Sequence, residues 1–380
     1  MITITQPELA AKQYIERLIL PSDPMRPLWN RESIIFHKPA KWNYIDGCMI
    51  KAAAMLYELT NDERLLEYAV HFIDSYVDEN GTISAMDCAD FNLDNINGAK
   101  NLLYLYGKTS DERYYIAAEK LYSCQLSRQP RLNCGNFWHK AIYPNQVWLD
   151  GAYMVFPFMA EYAVMSGKKG LFDDIHMQLR NIRSIMRDDE TGLYYHGYDE
   201  TRSMKWADPE TGLSQEFWLR AMGWLCAALV DTAEAAADSE GLCSLCNNMS
   251  GELLEALSGY ISPEGILLQL PARPELERNY PETSGTLLFA YSAMKAYRLG
   301  IVDESLRDIG IKAFLSVTDN YIRYVQDEAP VLKNICLMAG LGGKPMRDGS
   351  AEYYLSERIV ENDAKGIAPY LMAYTEYMKL

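Results

Sequence analysis

The chain has 380 residues, of which 49% are hydrophobic and 23% are charged, a composition typical of a globular protein with a large core. Its 36 Lys and Arg residues stand against 52 Asp and Glu residues, which gives a net charge of −16. Such a surface repels nucleic acid and anionic membranes, so we expect neither as a partner.

The amino-terminal segment and the cysteines bear on the cellular compartment. The start has no basic segment followed by an apolar one, so we expect no signal peptide, and no run is as long as a membrane span. The eight cysteines are scattered, and one CxxC pair, Cys243 and Cys246, lacks a second pair of ligands. We therefore expect buried thiols there instead of zinc, and a cytoplasmic protein with free cysteines.

A helical hairpin recurs along the chain, and it is the strongest structural signal. Each copy reads as an apolar helix, a short polar break and a second helix. The copies lie at residues 54–72, 102–121, 161–175 and 296–309. In the first two, the tripeptide DER follows the break, with Asn61 or Asp62, and Ser110 or Asp111, as natural caps of the second helix.

Twelve helices follow from these patterns. Six apolar helices, predicted to form the inner ring, begin near Tyr44, Asp94, Asp150, Trp218, Thr283 and Lys365. Six amphipathic, outer helices begin near Pro7, Asp62, Asp111, Gly170, Cys243 and Asp303. The alternation predicts an all-α (α/α)6 toroid, a single domain over residues 1–380, with a few short strands in glycine-led loop segments such as GTIS, GLYYHGY and GILLQL.

The long connections of such a toroid all lie at one end, where they lead into the inner helices. A functional site is expected there, built from residues at the helix starts and in the loops. The residues that should converge are Asp46, Asp94, Asp150, Arg220, Lys365, His139, Lys140 and His196. Asp46 reads as a helix cap, whereas His196 lies outside a regular element and reads as functional. Histidines at metal-ligand spacing are missing from every element, so we expect no metal.

The segment FWHKAIYPNQVWLDG, residues 137–151, concentrates the candidate chemistry. Trp148, His139, Lys140 and Asp150 combine a flat aromatic surface, two cations and a carboxylate, which suits a sugar ring that carries a carboxylate. Asp150 stands where the loop meets a helix, so helix capping alone remains an equally good interpretation.

A second group, Trp218, Arg220 and Trp224, places a guanidinium between two indoles, as expected for a carboxylate on a stacked sugar. Two carboxylates at the mouth of a helical ring indicate acid–base glycoside chemistry. The positive ends of the helices lower a carboxyl pKa, whereas burial raises it, and the sequence leaves open which effect is larger.

Six ordered segments resemble glycoside hydrolase family 105, the unsaturated rhamnogalacturonyl hydrolases, which are related to family 88 unsaturated glucuronyl hydrolases. The segments are NLDNINGAK, FWHK with YPNQVWLDG, GLYYHGYDE with WAD, FWLRAMGW, PETSGT and RDGSAEYYLSERIVENDAKG. The resemblance implies the (α/α)6 fold and no cofactor. It implies a short unsaturated uronyl oligosaccharide as substrate, hydrated at its C4=C5 double bond instead of being cleaved at the anomeric carbon.

The resemblance also implies residue roles. Asp150 would protonate C4 and help to deprotonate the water that adds at C5, and Asp94 would be the second essential carboxylate. The implied substrate-binding residues are Trp42, Tyr44, His139, Lys140, Trp148, His196, Trp218, Arg220 and Trp224. Three alternatives stay open: an unsaturated glucuronyl hydrolase, an inverting glycosidase on the same toroid, and a non-catalytic sugar-binding toroid. The oligomeric state is open as well.

Overall fold

The computed structural model describes residues 5–380, which fold into a ring of paired helices. We number its helices α1–α14 in chain order. The inner ring consists of α3 (Tyr44–Thr60), α5 (Ala99–Thr109), α7 (Asp150–Ser166), α9 (Leu219–Ala235), α11 (Thr283–Arg298) and α14 (Ala364–Tyr377). The outer ring consists of α1 (Gln6–Tyr14), α4 (Glu63–Asp74), α6 (Glu112–Cys124), α8 (Gly170–Met186), α10 (Glu240–Ser258) and α12 (Glu304–Tyr321).

Each inner helix packs against the inner helices on either side, and α14 closes the ring by packing on both α11 and α3. The predicted (α/α)6 toroid is therefore confirmed. The inner helices are buried on nearly all faces, as α9 shows from Leu219 to Ala233. The outer helix α4 instead buries one stripe, spaced three and four residues apart, at Leu65, Tyr68, Ala69, Phe72 and Ile73.

The short turns of the hairpins resolve the two capping alternatives. Asn61 and Ser110 end α3 and α5 in the left-handed conformation, with φ of 54° and 59°. Asp62 and Asp111 then cap the next helices by accepting hydrogen bonds from the backbone N–H groups of Arg64 and Arg113. The short turns thus lie at one mouth of the ring, opposite the long connections.

The long connections carry two short helices, α2 (Arg31–Phe36) and α13 (Ala351–Ser356), and six short strands. The strands pair antiparallel as β1 (Gln146–Trp148) with β2 (Gly197–Asp199), β3 (Ile322–Arg323) with β4 (Val331–Leu332), and β5 (Ile335–Cys336) with β6 (Ile359–Val360). The segment GLYYHGY contributes to β2 as predicted, whereas GTIS and GILLQL form single bridges and no strand.

Three expectations are corrected by the structure. The helix expected near Asp94 begins at Ala99, because Asp94 lies in a separate 3₁₀ turn, Leu93–Ile96. Asp46 is not a cap: Asn43 caps α3, and the buried Asp46 carboxylate accepts hydrogen bonds from Trp29 and Asn30.

The third correction concerns the cysteines. Cys88 and Cys124 form a disulfide, with their Cα atoms 5.8 Å apart. The two cysteines are 36 residues apart, so the sequence alone did not indicate that they pair. The fold brings them together, because the loop before α5 packs on the end of α6. Of the expected CxxC thiols, Cys246 is buried and Cys243 is partly exposed, and both are free.

Every helix in residues 5–380 is too short or too polar to cross a membrane. The prediction that the chain has no signal peptide concerns its first residues, and residues 1–4 lie outside the part of the chain that the structure describes.

Candidate active site

A cavity of about 180 Å³ opens at the mouth that the long connections form; we call it the loop-end cavity. Its wall combines the starts of α3 and α7, the 3₁₀ turn at Asp94, and loops that follow α6 and β5. Six of the residues predicted from the sequence line it: Tyr44, Asp94, His139, Lys140, Trp148 and Asp150. The convergence of loop residues and inner-helix starts at this mouth agrees with the expected geometry.

Asp150 occupies the first position of α7, but its carboxylate does not cap the helix. The N-cap is Leu149, and within residues 5–380 no side chain caps α7. One carboxylate oxygen of Asp150 lies instead 3.1 Å from Nε2 of His196, whose Nδ1 lies 2.7 Å from the Tyr354 hydroxyl. The antiparallel pairing of Trp148 with Gly197 brings these two loops together. Capping alone therefore does not explain Asp150.

The chain Tyr354–His196–Asp150 sets the charge of Asp150. Burial alone would raise the pKa of its carboxyl, but the hydrogen bond from His196, together with the positive charge of Arg220, holds that pKa below its usual value. Burial also raises the pKa of the Tyr354 hydroxyl, so Tyr354 keeps its proton and can donate to Nδ1 of His196. That donation leaves Nε2 of His196 as the donor to an ionised Asp150.

Asp94 is the second carboxylate of the cavity, and Lys140 is its partner. Nζ of Lys140 lies 2.5 Å from one oxygen of Asp94, and Nε2 of His139 lies 3.7 Å from the other. The Asp94 and Asp150 side chains are 16% and 15% exposed, so both remain accessible to a ligand. The two carboxylates thus have different partners: the Lys140 ammonium contacts Asp94, and the His196 imidazole contacts Asp150.

His139 is buried behind the two carboxylates. Burial lowers its pKa to about 4, so its ring is neutral near pH 7. Its plane stacks on Trp148 with ring centres 4.7 Å apart. Gly151 permits this position, because a Cβ atom there would lie 3.2 Å from Nδ1 of His139. Tyr143 also stacks on Trp148, at 4.9 Å, so the indole is held by protein rings while it lines the cavity.

Five predicted substrate-binding residues do not line the loop-end cavity: His196, which is fully buried and bonds Asp150, and Trp42, Trp218, Trp224 and Arg220. The indoles of Trp42, Trp218 and Trp224 are at most 4% exposed and pack inside the ring. Trp42 donates to the Asn95 carbonyl, Trp218 donates to Gln269, and Trp224 stacks on Tyr153. Trp42 lies two residues before α3, Trp218 immediately before α9 and Trp224 within α9, and all three rings contact protein groups instead of lining the cavity.

Arg220 is also buried and makes protein contacts. Its guanidinium donates to the Cys336 carbonyl and to the Ser284 hydroxyl, and it lies 4.8 Å from the Trp218 ring centre. Arg220 therefore joins α9 to α11 and β5. Lys365 is likewise buried, and it pairs with Asp363 at 2.9 Å.

The sequence reasoning missed several cavity residues. Lys38, Lys41 and Arg347 add cations to the lining, and Arg347 donates to the Tyr143 hydroxyl at 2.8 Å. Arg347 and Tyr354 lie in the segment RDGSAEYY, whose resemblance to a family pattern was a usable signal. Lys38 and Lys41 belong to no motif, so their position depended on the fold.

The loop-end cavity thus combines two carboxylates, several cations and an aromatic surface at one mouth of a helical toroid. Residues 25–380 match glycosyl hydrolase family 88, and the chain belongs to this family. A family 105 glycoside hydrolase from C. acetobutylicum ATCC 824 is similar in structure, with a TM-score of 0.87 and 36% identity, over 92% of this chain and 98% of that one.

Two curated proteins are similar in sequence. Protein Atu3128 of Agrobacterium fabrum is 34% identical over 233 residues, which covers 60% of this chain and 99% of that protein. The unsaturated rhamnogalacturonyl hydrolase YesR of Bacillus subtilis is 23% identical over 194 residues, which covers 50% of this chain and 52% of YesR. These similarities place the chain among the unsaturated-uronyl glycoside hydrolases of families 88 and 105.

Proposed function

We propose that this enzyme acts on lyase-generated rhamnogalacturonan oligosaccharides. It hydrates the C4=C5 double bond of the unsaturated uronic acid at their non-reducing end and so releases the remaining sugar. The observation that carries the proposal is that Asp150 and Asp94 face one cavity whose other charges are mostly basic. The similarity to YesR supports the choice of substrate.

The local charges of the loop-end cavity oppose the charge of the whole protein. Against a net charge of −16, the lining carries four cations: Lys38 and Lys140 pair with Glu32 and Asp94, whereas Lys41 and Arg347 have no carboxylate partner in residues 5–380. An anionic uronate needs such a patch, and the planar guanidinium of Arg347 can bind a carboxylate with two hydrogen bonds. The carboxylate of the substrate therefore belongs on this basic side, with the double bond toward Asp150.

Asp150 must carry a proton to start the reaction, although it is ionised in the free enzyme. A bound uronate supplies a second negative charge close to Asp150, and a nearby like charge raises a carboxyl pKa. Asp150 then donates its proton to C4 and water adds its oxygen to C5, while the proton lost by water returns to Asp150. The hemiketal at C5 opens to a ketone, and the hemiacetal left at C1 expels the aglycone.

The remaining residues hold this geometry. Lys140 orients the Asp94 side chain through its hydrogen bond, so that Asp94 can position the attacking water or a sugar hydroxyl. The Tyr354–His196 pair fixes the Asp150 carboxylate through the Nε2 proton. His139, neutral and stacked on Trp148, gives the two carboxylates a rigid, dry support.

The test compares two substrates and measures both the loss of the C4=C5 double bond and the incorporation of deuterium from the solvent. We expect loss of the ultraviolet absorbance of the double bond with the unsaturated rhamnogalacturonan disaccharide and not with the unsaturated chondroitin disaccharide. In deuterated water, one deuteron should appear at C4 at the rate of aglycone release. Activity on the chondroitin disaccharide alone would identify a glucuronyl hydrolase instead. Release of the aglycone with the double bond intact would identify hydrolysis at C1, and no turnover of any such substrate would point to a binding toroid.

A further inference from the structure

A second cavity opens at the opposite mouth, among the short turns; we call it the short-turn cavity. It has a volume of about 450 Å³, compared with about 180 Å³ for the loop-end cavity, and all six inner helices contribute to its lining. Binding sites for small molecules have volumes of roughly 300–1,000 Å³. None of its residues takes part in the proposed reaction, so its side chains call for a separate explanation.

Most charged side chains of the short-turn cavity have partners of opposite charge. Asp231 receives hydrogen bonds from Lys51, Lys295 and Tyr291. The other paired carboxylates of the lining are Glu58 with Lys108 at 2.6 Å, Glu234 with Lys295 at 2.6 Å and Arg298 at 3.0 Å, and Glu376 with Arg298 at 2.6 Å and Lys379 at 3.1 Å. These groups neutralise one another and leave little affinity for an added ion.

Lys100 and Glu161 are the exceptions among the charged lining residues of the described chain. Lys100 is 3% exposed, donates to the Tyr153 carbonyl at 3.3 Å, and has no carboxylate oxygen within 4.0 Å in residues 5–380. Its ammonium also lies 3.6 Å from the Tyr153 ring centre. Glu161 has neither a hydrogen bond nor an ion pair with any described residue. Lys100 is buried and Glu161 is partly buried, and a charged group without a partner is costly in such a place, so each group favours a ligand of opposite charge.

The positions of Lys100 and Glu161 determine how a ligand would be oriented in the short-turn cavity. Lys100 is the second residue of α5 and lies deep in the ring, whereas Glu161 is near the end of α7 and close to the mouth. The C-termini of the inner helices surround that mouth with partly negative carbonyl groups, which favour a cation there. A carboxylate therefore fits the deep end and an ammonium fits the outer end.

The remaining lining selects for an apolar body. Met55, Leu103, Val164 and Met165 contribute side chains to the wall, and Val164 and Met165 are exposed at its rim. The hydroxyl groups of a sugar acid would meet these side chains without hydrogen-bond partners, at a cost in free energy. We propose that the short-turn cavity binds a small zwitterion with an apolar body, such as an amino acid, its carboxylate on Lys100 and its ammonium on Glu161.

The test is calorimetric titration of the full-length protein with L-leucine and with 6-aminohexanoate, whose charges are farther apart. We expect at least one of them to bind saturably at one site per chain. The matching compounds with one charge, 4-methylpentanoate and 3-methylbutylamine, should bind at least tenfold more weakly. Proton uptake at Lys100 and proton release at Glu161 should nearly cancel at pH 7, because burial lowers the pKa of Lys100 and raises the pKa of Glu161, each to about 7, and the zwitterion would reverse both shifts.

Substitutions in the two cavities test whether the zwitterion binds in the short-turn cavity. Lys100→Met and Glu161→Gln should each weaken binding at least tenfold with unchanged circular dichroism, whereas Lys140→Met, at the loop-end cavity, should leave it unchanged. If Lys100→Met fails to fold, Glu161→Gln decides alone. Three results would overturn the inference: binding of neither zwitterion, binding that survives both variants, or tighter binding of D-galacturonate than of either zwitterion. None of these depends on which oligosaccharide the enzyme cleaves.

Discussion

At the scale of single residues, Asp150 carries the sharpest prediction. Asp150→Asn keeps the shape of the side chain but cannot transfer a proton, and loss of positioned proton transfer costs about 10²–10⁴-fold in rate. We expect that loss of turnover with an unchanged melting temperature, because the Asp150 carboxylate bonds His196 and caps no backbone N–H. The absorbance assay and a thermal melt measure both quantities.

Asp199 offers a matched control for this change. Its buried carboxylate accepts hydrogen bonds from the backbone N–H groups of Thr201, Ser203 and Met204. Asp199→Asn should therefore lower the melting temperature, because an amide nitrogen cannot accept these bonds. Wild-type turnover in a stable Asp150→Asn protein would remove Asp150 from the mechanism.

Arg220 is expected to matter for stability. In Arg220→Met, the buried Cys336 carbonyl and Ser284 hydroxyl lose a charged donor, which costs about 1–3 kcal/mol of unfolding free energy. Urea unfolding followed by circular dichroism measures this difference. An unchanged unfolding free energy together with a raised KM would instead show that Arg220 contacts the substrate.

His139 makes stability depend on pH. Its pKa is about 4 in the folded protein and about 6.5 in an unfolded chain, so the unfolded chain takes up a proton first as the pH falls. The stability that neutral His139 contributes is complete above about pH 6.5 and is lost as the pH falls toward 4, by roughly 3 kcal/mol in all. Urea unfolding at pH 7 and pH 4.5 should show a smaller decrease for His139→Gln. Equal decreases in both proteins would contradict the assignment.

At the scale of elements, the repeated hairpins depend on their caps. Asp111→Ala removes the side chain that caps α6 through the N–H of Arg113, which should cost about 0.5–2 kcal/mol of unfolding free energy. Asp111→Asn is the matched control and should cost much less, because its amide oxygen can accept the same bond. Activity should persist in both, since this turn lies opposite the loop-end cavity. A loss of activity at equal stability would mean that the two mouths are coupled.

At the scale of the whole molecule, the ring requires its last helix. α14 packs against both α3 and α11, so removal of residues 364–380 would leave two apolar helix faces without a partner. We expect this truncated chain to lose the cooperative thermal transition. Removal of Leu380 alone, a half-exposed residue, is the control and should leave the transition unchanged. A cooperative melt near the wild-type temperature in the longer truncation would show that an open ring is stable.

Local patterns were sufficient for the architecture. Apolar stretches and capping residues predicted inner helices near Tyr44, Trp218, Thr283 and Lys365, and these helices begin at Tyr44, Leu219, Thr283 and Ala364. Helix periodicity and capping depend on residues within a few positions of one another, so the sequence by itself determines them. The same short range explains why strands of two or three residues, such as β5 and β6, were not foreseen.

The direction of each side chain was decided by the tertiary structure. Successive residues of a helix point about 100° apart, so closeness of Arg220 or Trp218 to a helix start did not tell whether it faces the mouth or a neighbouring helix. The Cys88–Cys124 bond and the Tyr354–His196–Asp150 chain join segments that are far apart in sequence, and packing of the closed ring creates them. The sequence therefore determined the ring and the two carboxylates, whereas the fold decided which cations and aromatic rings surround them.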